Sequence, residues 1–78
     1  MIFEGEYLNG KRNGKGIEYY YFLDGELKFE GEYLNGERNG KGKEYYDNGK
    51  LLFEGNFLNG NRFTGKVYSD NGKIIFEG

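Results

Sequence analysis

One eight-residue segment recurs along this chain and limits what it can fold into. Phe-Glu-Gly-Glu-Tyr-Leu-Asn-Gly runs from Phe3 to Gly10 and again from Phe29 to Gly36. It returns as Phe-Glu-Gly-Asn-Phe-Leu-Asn-Gly from Phe53 to Gly60, and a fourth copy opens at Phe76-Glu77-Gly78. Successive starts lie 26, 24 and 23 residues apart. Residues 1–78 therefore read as a single repeat array, with units of about 3–28, 29–52 and 53–75 and a partial unit at 76–78. A period in this range marks the stacking of one supersecondary unit. Arrays of this kind present surfaces and rarely assemble a catalytic centre.

Within a unit the residues alternate. Leu27, Phe29, Gly31 and Tyr33 fall on one face of an extended chain, with Lys28, Glu30 and Glu32 on the other. Leu51, Phe53, Gly55 and Phe57 repeat the pattern. Period-two alternation with aromatic residues signals a half-buried strand. A second, shorter strand is expected over Gly42–Tyr46. The two are separated by turns rich in Asn-Gly, a pair that tolerates positive φ at both positions; the chain holds seven such dipeptides. Asn48-Gly49, Asn71-Gly72 and Asp24-Gly25 read as two-residue type I′ turns, and Asn35-Gly36-Glu37-Arg38-Asn39-Gly40 as a longer one. The residues Tyr19–Leu23 predict a longer or bulged hairpin end in the first unit. The fold expected is all-β, an elongated single-layer antiparallel meander of stacked β-hairpins.

Aromatic residues make up 19% of the chain and hydrophobic residues only 36%, so a few large rings must supply the core. Gly5, Gly31 and Gly55 sit mid-strand on the aromatic face, where glycine weakens a strand unless something approaches closely. A ring from the adjacent strand, Tyr19, Tyr45 or Tyr68, is expected to lie across that bare backbone. These three tyrosines are read as core-facing, with the reverse parity as the alternative.

Chains this short bury little apolar area. With no Cys and no His, disulfides and ordinary zinc sites cannot supply the missing stability. Oligomerisation or a longer parent array remains. Eleven basic and 13 acidic residues give a net charge of −2, which offers nucleic acid no global attraction. The N-terminus has neither a basic nor an apolar signal region, and no apolar run approaches the roughly 20 residues that cross a bilayer. The default expectation is a cytoplasmic protein.

These residues resemble MORN repeats: Phe29-x-Gly31-x-Tyr33-x-x-Gly36, then Gly40-x-Gly42, then Tyr45-Tyr46-Asp47-Asn48-Gly49. The resemblance covers essentially the whole chain in three successive registers. The ending of the second unit is similar to the bacterial MORN variant labelled as a toxin–antitoxin antitoxin component, which commonly carries Trp where Gly42 stands. The resemblance implies an elongated twisted sheet of hairpins, with roles in scaffolding, protein contacts, and membrane or phosphoinositide attachment.

No residue set points to catalysis or to a cofactor. Glu4, Glu6, Glu30, Glu32 and Glu54 alternate with the aromatic face and are expected to face solvent. Thr64 and Ser69 lack any candidate base. The Gly36-to-Gly42 segment is no phosphate loop, since no helix follows it. Asp47-Asn48-Gly49 supplies too few ligands for calcium. The chain therefore reads as a non-enzymatic module whose protein partner would meet an aromatic face of Tyr7, Tyr19, Phe29, Tyr33, Tyr45, Phe53, Phe57 and Tyr68. The alternative is peripheral attachment to anionic membranes through a basic row in the longer turns, formed by Lys11, Arg12, Lys15, Arg38, Lys41, Arg62 and Lys66. An antitoxin-like role is the further alternative. Self-association is expected through unpaired outer strands.

Overall fold

A computed structural model describes residues 2–20 and 26–78. Seven antiparallel strands follow one another in chain order across one sheet: β1 (Ile2–Leu8), β2 (Lys11–Tyr20), β3 (Glu26–Leu34), β4 (Glu37–Tyr45), β5 (Leu51–Leu58), β6 (Asn61–Tyr68) and β7 (Ile74–Glu77). The sheet measures 39 × 31 × 13 Å. The single-layer meander expected from the repeat is what forms.

Every strand is registered on a row of glycines. Gly5 pairs with Gly16, Gly16 with Gly31, Gly31 with Gly42, Gly42 with Gly55, and Gly55 with Gly65. Gly78 exchanges both backbone hydrogen bonds with Gly65. The reason is steric. A Cβ on Gly16 would lie 2.5 Å from the Phe3 ring, and one on Gly42 would lie 2.7 Å from the Phe29 ring. Phe3, Phe29 and Phe53 each fold back across the glycine two residues later and across its partner on the following strand. The covering ring thus belongs to the repeat's own Phe, assisted at Gly16 and Gly42 by Tyr33 and Phe57 from the next hairpin. It does not come from Tyr19, Tyr45 or Tyr68.

The two turn types are also exchanged relative to the sequence expectation. Asn9-Gly10, Asn35-Gly36 and Asn59-Gly60 have positive φ at both residues and join directly paired positions such as Leu34 and Glu37. They are the two-residue type I′ turns. At Asn48-Gly49 and Asn71-Gly72 only the glycine has positive φ. There Gly49 N–H donates to Tyr46 O and Tyr46 N–H donates to Lys50 O, a three-residue loop closed by a glycine in the left-handed region. The segment expected to be a longer turn continues as strand, interrupted by a bulge. Of the longer or bulged hairpin end expected at Tyr19–Leu23, Tyr19 and Tyr20 are the last residues of β2, and residues 21–25, with the Asp24-Gly25 turn, lie outside the described residues.

A second bulge recurs where β2 meets β3, β4 meets β5 and β6 meets β7. Tyr45 pairs with Leu51 while Glu44 pairs with Phe53, which leaves Leu52 as the extra residue. A bulge of one residue reverses side-chain parity. Leu52 consequently packs on the core, whereas Leu51 shares the face of Tyr45. The unbroken alternation expected from Leu51 to Phe57 holds only from Phe53 onward.

Candidate functional site: two faces of one sheet

The aromatic face is a chain of edge-to-face rings. Phe3 meets Tyr33 at 5.1 Å, Tyr33 meets Phe29 at 5.6 Å, Phe29 meets Phe57 at 5.2 Å, and Phe57 meets Phe53 at 5.3 Å, all with interplanar angles above 80°. Such pairs contribute about 1 kcal/mol each beyond the area they bury. Phe29, Tyr33, Phe53 and Phe57 are buried. Four of the eight residues expected to form an interaction surface are therefore core and cannot touch a partner. Tyr7 adds to the ring chain at Phe3 (5.5 Å) and stays exposed.

What roofs these rings is charged. Arg12 and Arg38 stack on Phe3 and Phe29 with the guanidinium carbon 4.0 Å from each ring centre, and Arg62 stacks on Phe53 at 4.9 Å. Between the arginines lie Glu18 and Glu44. Arg38 Nη2 donates to Glu18 at 2.9 Å, Arg38 Nη1 reaches Glu44 at 3.4 Å, and Arg62 Nε donates to Glu44 at 2.6 Å. Arg12 stands 3.6 Å from Glu18. The result is a ladder, Arg12–Glu18–Arg38–Glu44–Arg62, running across the strands above the rings. Tyr33 closes it from below by donating its hydroxyl to Glu18.

Burial pushes the Glu18 carboxyl up, but the hydrogen bonds from Arg38 and Tyr33 and the charges of Arg38 and Arg12 outweigh it. The carboxyl is held below its ordinary value. Burial, and then the bond to Glu18, raises the Tyr33 hydroxyl. Arg38 is raised too: burial works against its charge, but the two glutamates more than compensate.

The opposite face is polar. Tyr19, Tyr45 and Tyr68 lie here, correcting their expected place in the core, and donate to Glu4, Glu30 and Glu54 at 3.2, 2.7 and 2.8 Å. Burial and the bond to Glu30 push the Tyr45 hydroxyl up to about 12. The physical cause of the reversal is the glycine row. Gly16 must sit on the Phe3 face, so Glu18, two residues on, shares that face and Tyr19 takes the other. Glu6 and Glu32 have a further use: each accepts a backbone hydrogen bond, from Lys15 N–H at 2.8 Å and Lys41 N–H at 3.0 Å. They fill the bulges that put Gly14 and Gly40 at positive φ.

A trough of about 930 Å³ follows the glycine row along this polar face. Its floor is the exposed backbone of the glycines. Its rims carry Glu4, Glu30, Glu32 and Glu54 against Lys15, Lys41, Lys43 and Lys66. The rims are charge-neutral, and the acids and bases alternate across strands: Glu30 opposite Lys43, Lys43 opposite Glu54, Glu54 opposite Lys66.

The basic row expected along one edge is thus divided. Arg12, Arg38 and Arg62 belong to the aromatic face and Lys15, Lys41 and Lys66 to the trough, with Lys66 Nζ 3.9 Å from Glu77. Lys11 remains at the type I′ turn edge, paired with Leu8. The division follows from these residues lying on strands, where neighbours alternate, rather than in loops. Sequence reasoning missed Glu18 and Glu44. The signal was present as Arg12 and Arg38 each followed six residues later by Glu. Among the described residues no cluster of His, Cys, Asp or Glu could hold a metal ion.

The MORN repeat family matches residues 3–21, and the MORN repeat variant family matches residues 38–59. No curated protein matches the chain. Together the two family matches cover more than half of the chain. The first falls on the opening unit and the second runs from the second unit into the third; between them they take in Phe-Gly strands, Asn-Gly turns and the ladder from Arg12 to Glu44. The chain belongs to the MORN-repeat family.

Proposed function

We propose that this chain is a non-enzymatic protein-interaction module that receives an extended polypeptide segment along the trough of its polar face. MORN repeats are generally associated with protein or membrane interaction, and the choice between surfaces rests on burial. The rings of the aromatic face are consumed by their own packing and roofed by the Arg–Glu ladder. The trough offers an open, backbone-floored channel whose neutral rims alternate in sign. Such rims give a polyanion or an anionic membrane no net attraction, but they can pair with both charges of a polypeptide. The observation that carries this reading is the trough itself, continuous over the glycine row and lined by four acids and four bases.

Pull-down of a partner with the wild-type chain, compared with the double variant Lys41→Glu and Lys43→Glu, tests it. Loss of the partner with an unchanged circular dichroism spectrum is the expected result. Retention by the double variant, with loss on Arg62→Glu, would move the surface to the aromatic face. Sedimentation with phosphoinositide liposomes at low salt would return the function to membrane attachment.

A further inference from the structure

The seven Asn-Gly dipeptides are chemically alike. Asn-Gly is the pair most prone to cyclise, because glycine leaves its own amide nitrogen unhindered. The structure separates them by what holds the reacting atoms. In Asn35-Gly36 and Asn59-Gly60 the glycine N–H donates to the carbonyls of Arg12 and Arg38 on the preceding hairpin, at 2.8 and 2.9 Å. Gly49 and Gly72 donate across their own loops at 2.9 Å. Asn13 and Asn39 hold their side-chain oxygens against the backbone N–H groups of Asn35 and Asn59 at 3.3 Å, and Gly14 and Gly40 are paired strand residues.

Asn9-Gly10 differs. It has the same type I′ geometry, φ 53° and 81°, and both residues are exposed. Among the described residues, however, neither the Gly10 N–H nor the Asn9 carboxamide has a hydrogen-bond partner.

We propose that Asn9 is the chain's selective site of spontaneous deamidation. The Gly10 amide nitrogen attacks Asn9 Cγ, forming the ring N–Cγ bond and giving up its proton to solvent base. The carboxamide C–N bond breaks, and the nitrogen leaves as ammonia. Water then opens the succinimide at either carbonyl, giving aspartate or isoaspartate with no change of oxidation state. Either product sets a carboxylate beside Lys11. The isoaspartyl form also routes the main chain through Cβ and breaks the two-residue register between Leu8 and Lys11. The change acts on the first hairpin and leaves the rings from Phe29 onward untouched.

The test is to incubate the full chain at mildly alkaline pH and map its peptides by mass spectrometry with fragmentation that distinguishes isoaspartate. Asn9 should convert several-fold faster than Asn35 and Asn59, which share its Leu-Asn-Gly context. In denaturant the three should convert alike. Equal native rates, a faster native reaction at another Asn, or a preference for Asn9 that persists in denaturant would each overturn the assignment.

Discussion

Glu18 keeps its charge where only 4% of its surface meets solvent, and two arginines and a tyrosine hold it there. Removing one partner from a buried ionic group leaves the others uncompensated. Glu18→Gln should therefore cost about 3 kcal/mol, seen as a lower urea midpoint with the same dependence on denaturant. The pH dependence has a definite sign. The folded carboxyl titrates below its unfolded value, so its stabilisation is complete above the ordinary Glu range and fades as pH falls through the folded value. The Gln variant should lose that acid-side slope, and an unchanged slope would show that other carboxylates carry it. Tyr45, held at about 12, works in the other direction. Its contribution is full below the ordinary tyrosine value and is lost as pH rises toward 12. Neither glutamate of the ladder was legible as lying over the rings. Beside Ile17 and Tyr19, Glu18 reads as solvent-facing, and only its registry with Phe29 reverses that.

At the scale of the hairpin, glycine has two distinct jobs that substitutions should separate. Gly10 and Gly49 are there for positive φ alone, since a Cβ on either would meet nothing within 4 Å. Alanine at Gly10 should cost about 1 kcal/mol from backbone strain. Gly42 is there for space: a Cβ would press on the Phe29 and Phe57 rings at 2.7 and 3.0 Å. Gly42→Ala should cost about 3 kcal/mol by overpacking and should shift the ring resonances of Phe29 and Phe57, which Gly10→Ala leaves in place. The bulges give a third case. Glu32→Ala orphans the Lys41 N–H, and hydrogen exchange at that amide should accelerate while its neighbours keep their protection. The third unit has already made a related exchange. Asn56 stands where Glu32 would, donates to Thr64 Oγ1, and faces a strand one residue shorter. The strands themselves were legible from alternation. The turns were misassigned because every Asn-Gly looks alike in sequence, and the register that distinguishes them is fixed by the Phe-over-Gly seats across strands.

Across the whole sheet, each hairpin touches only its neighbours, so stability should follow a gradient rather than a uniform value. Among the described residues, the four buried rings come from β3 and β5, whereas β7 is exposed along its length. Amides of β3 to β5 should therefore exchange slowest and those of β7 first. The ladder determines whether the units nonetheless open together. Arg38 is its central rung, bonded to Glu18 from the first unit and to Glu44 from its own, and stacked on Phe29. Arg62 at the end holds only Glu44 and is two-fifths exposed. Arg38→Met keeps the apolar cover over Phe29 but takes from the buried Glu18 its two-pronged arginine, leaving it only Tyr33 and the more distant Arg12, and should cost about 3 kcal/mol. Arg62→Met leaves Glu44 its bond to Arg38 and should cost about 1 kcal/mol. The larger loss falls on contacts that cross from one hairpin to the next. In Arg38→Met, urea curves followed through β2 and through β6 should therefore separate, while in wild type and Arg62→Met they should coincide. Coincident curves in all three would place the coupling between units in the ring chain from Phe3 to Phe53 and leave the charged ladder a local role.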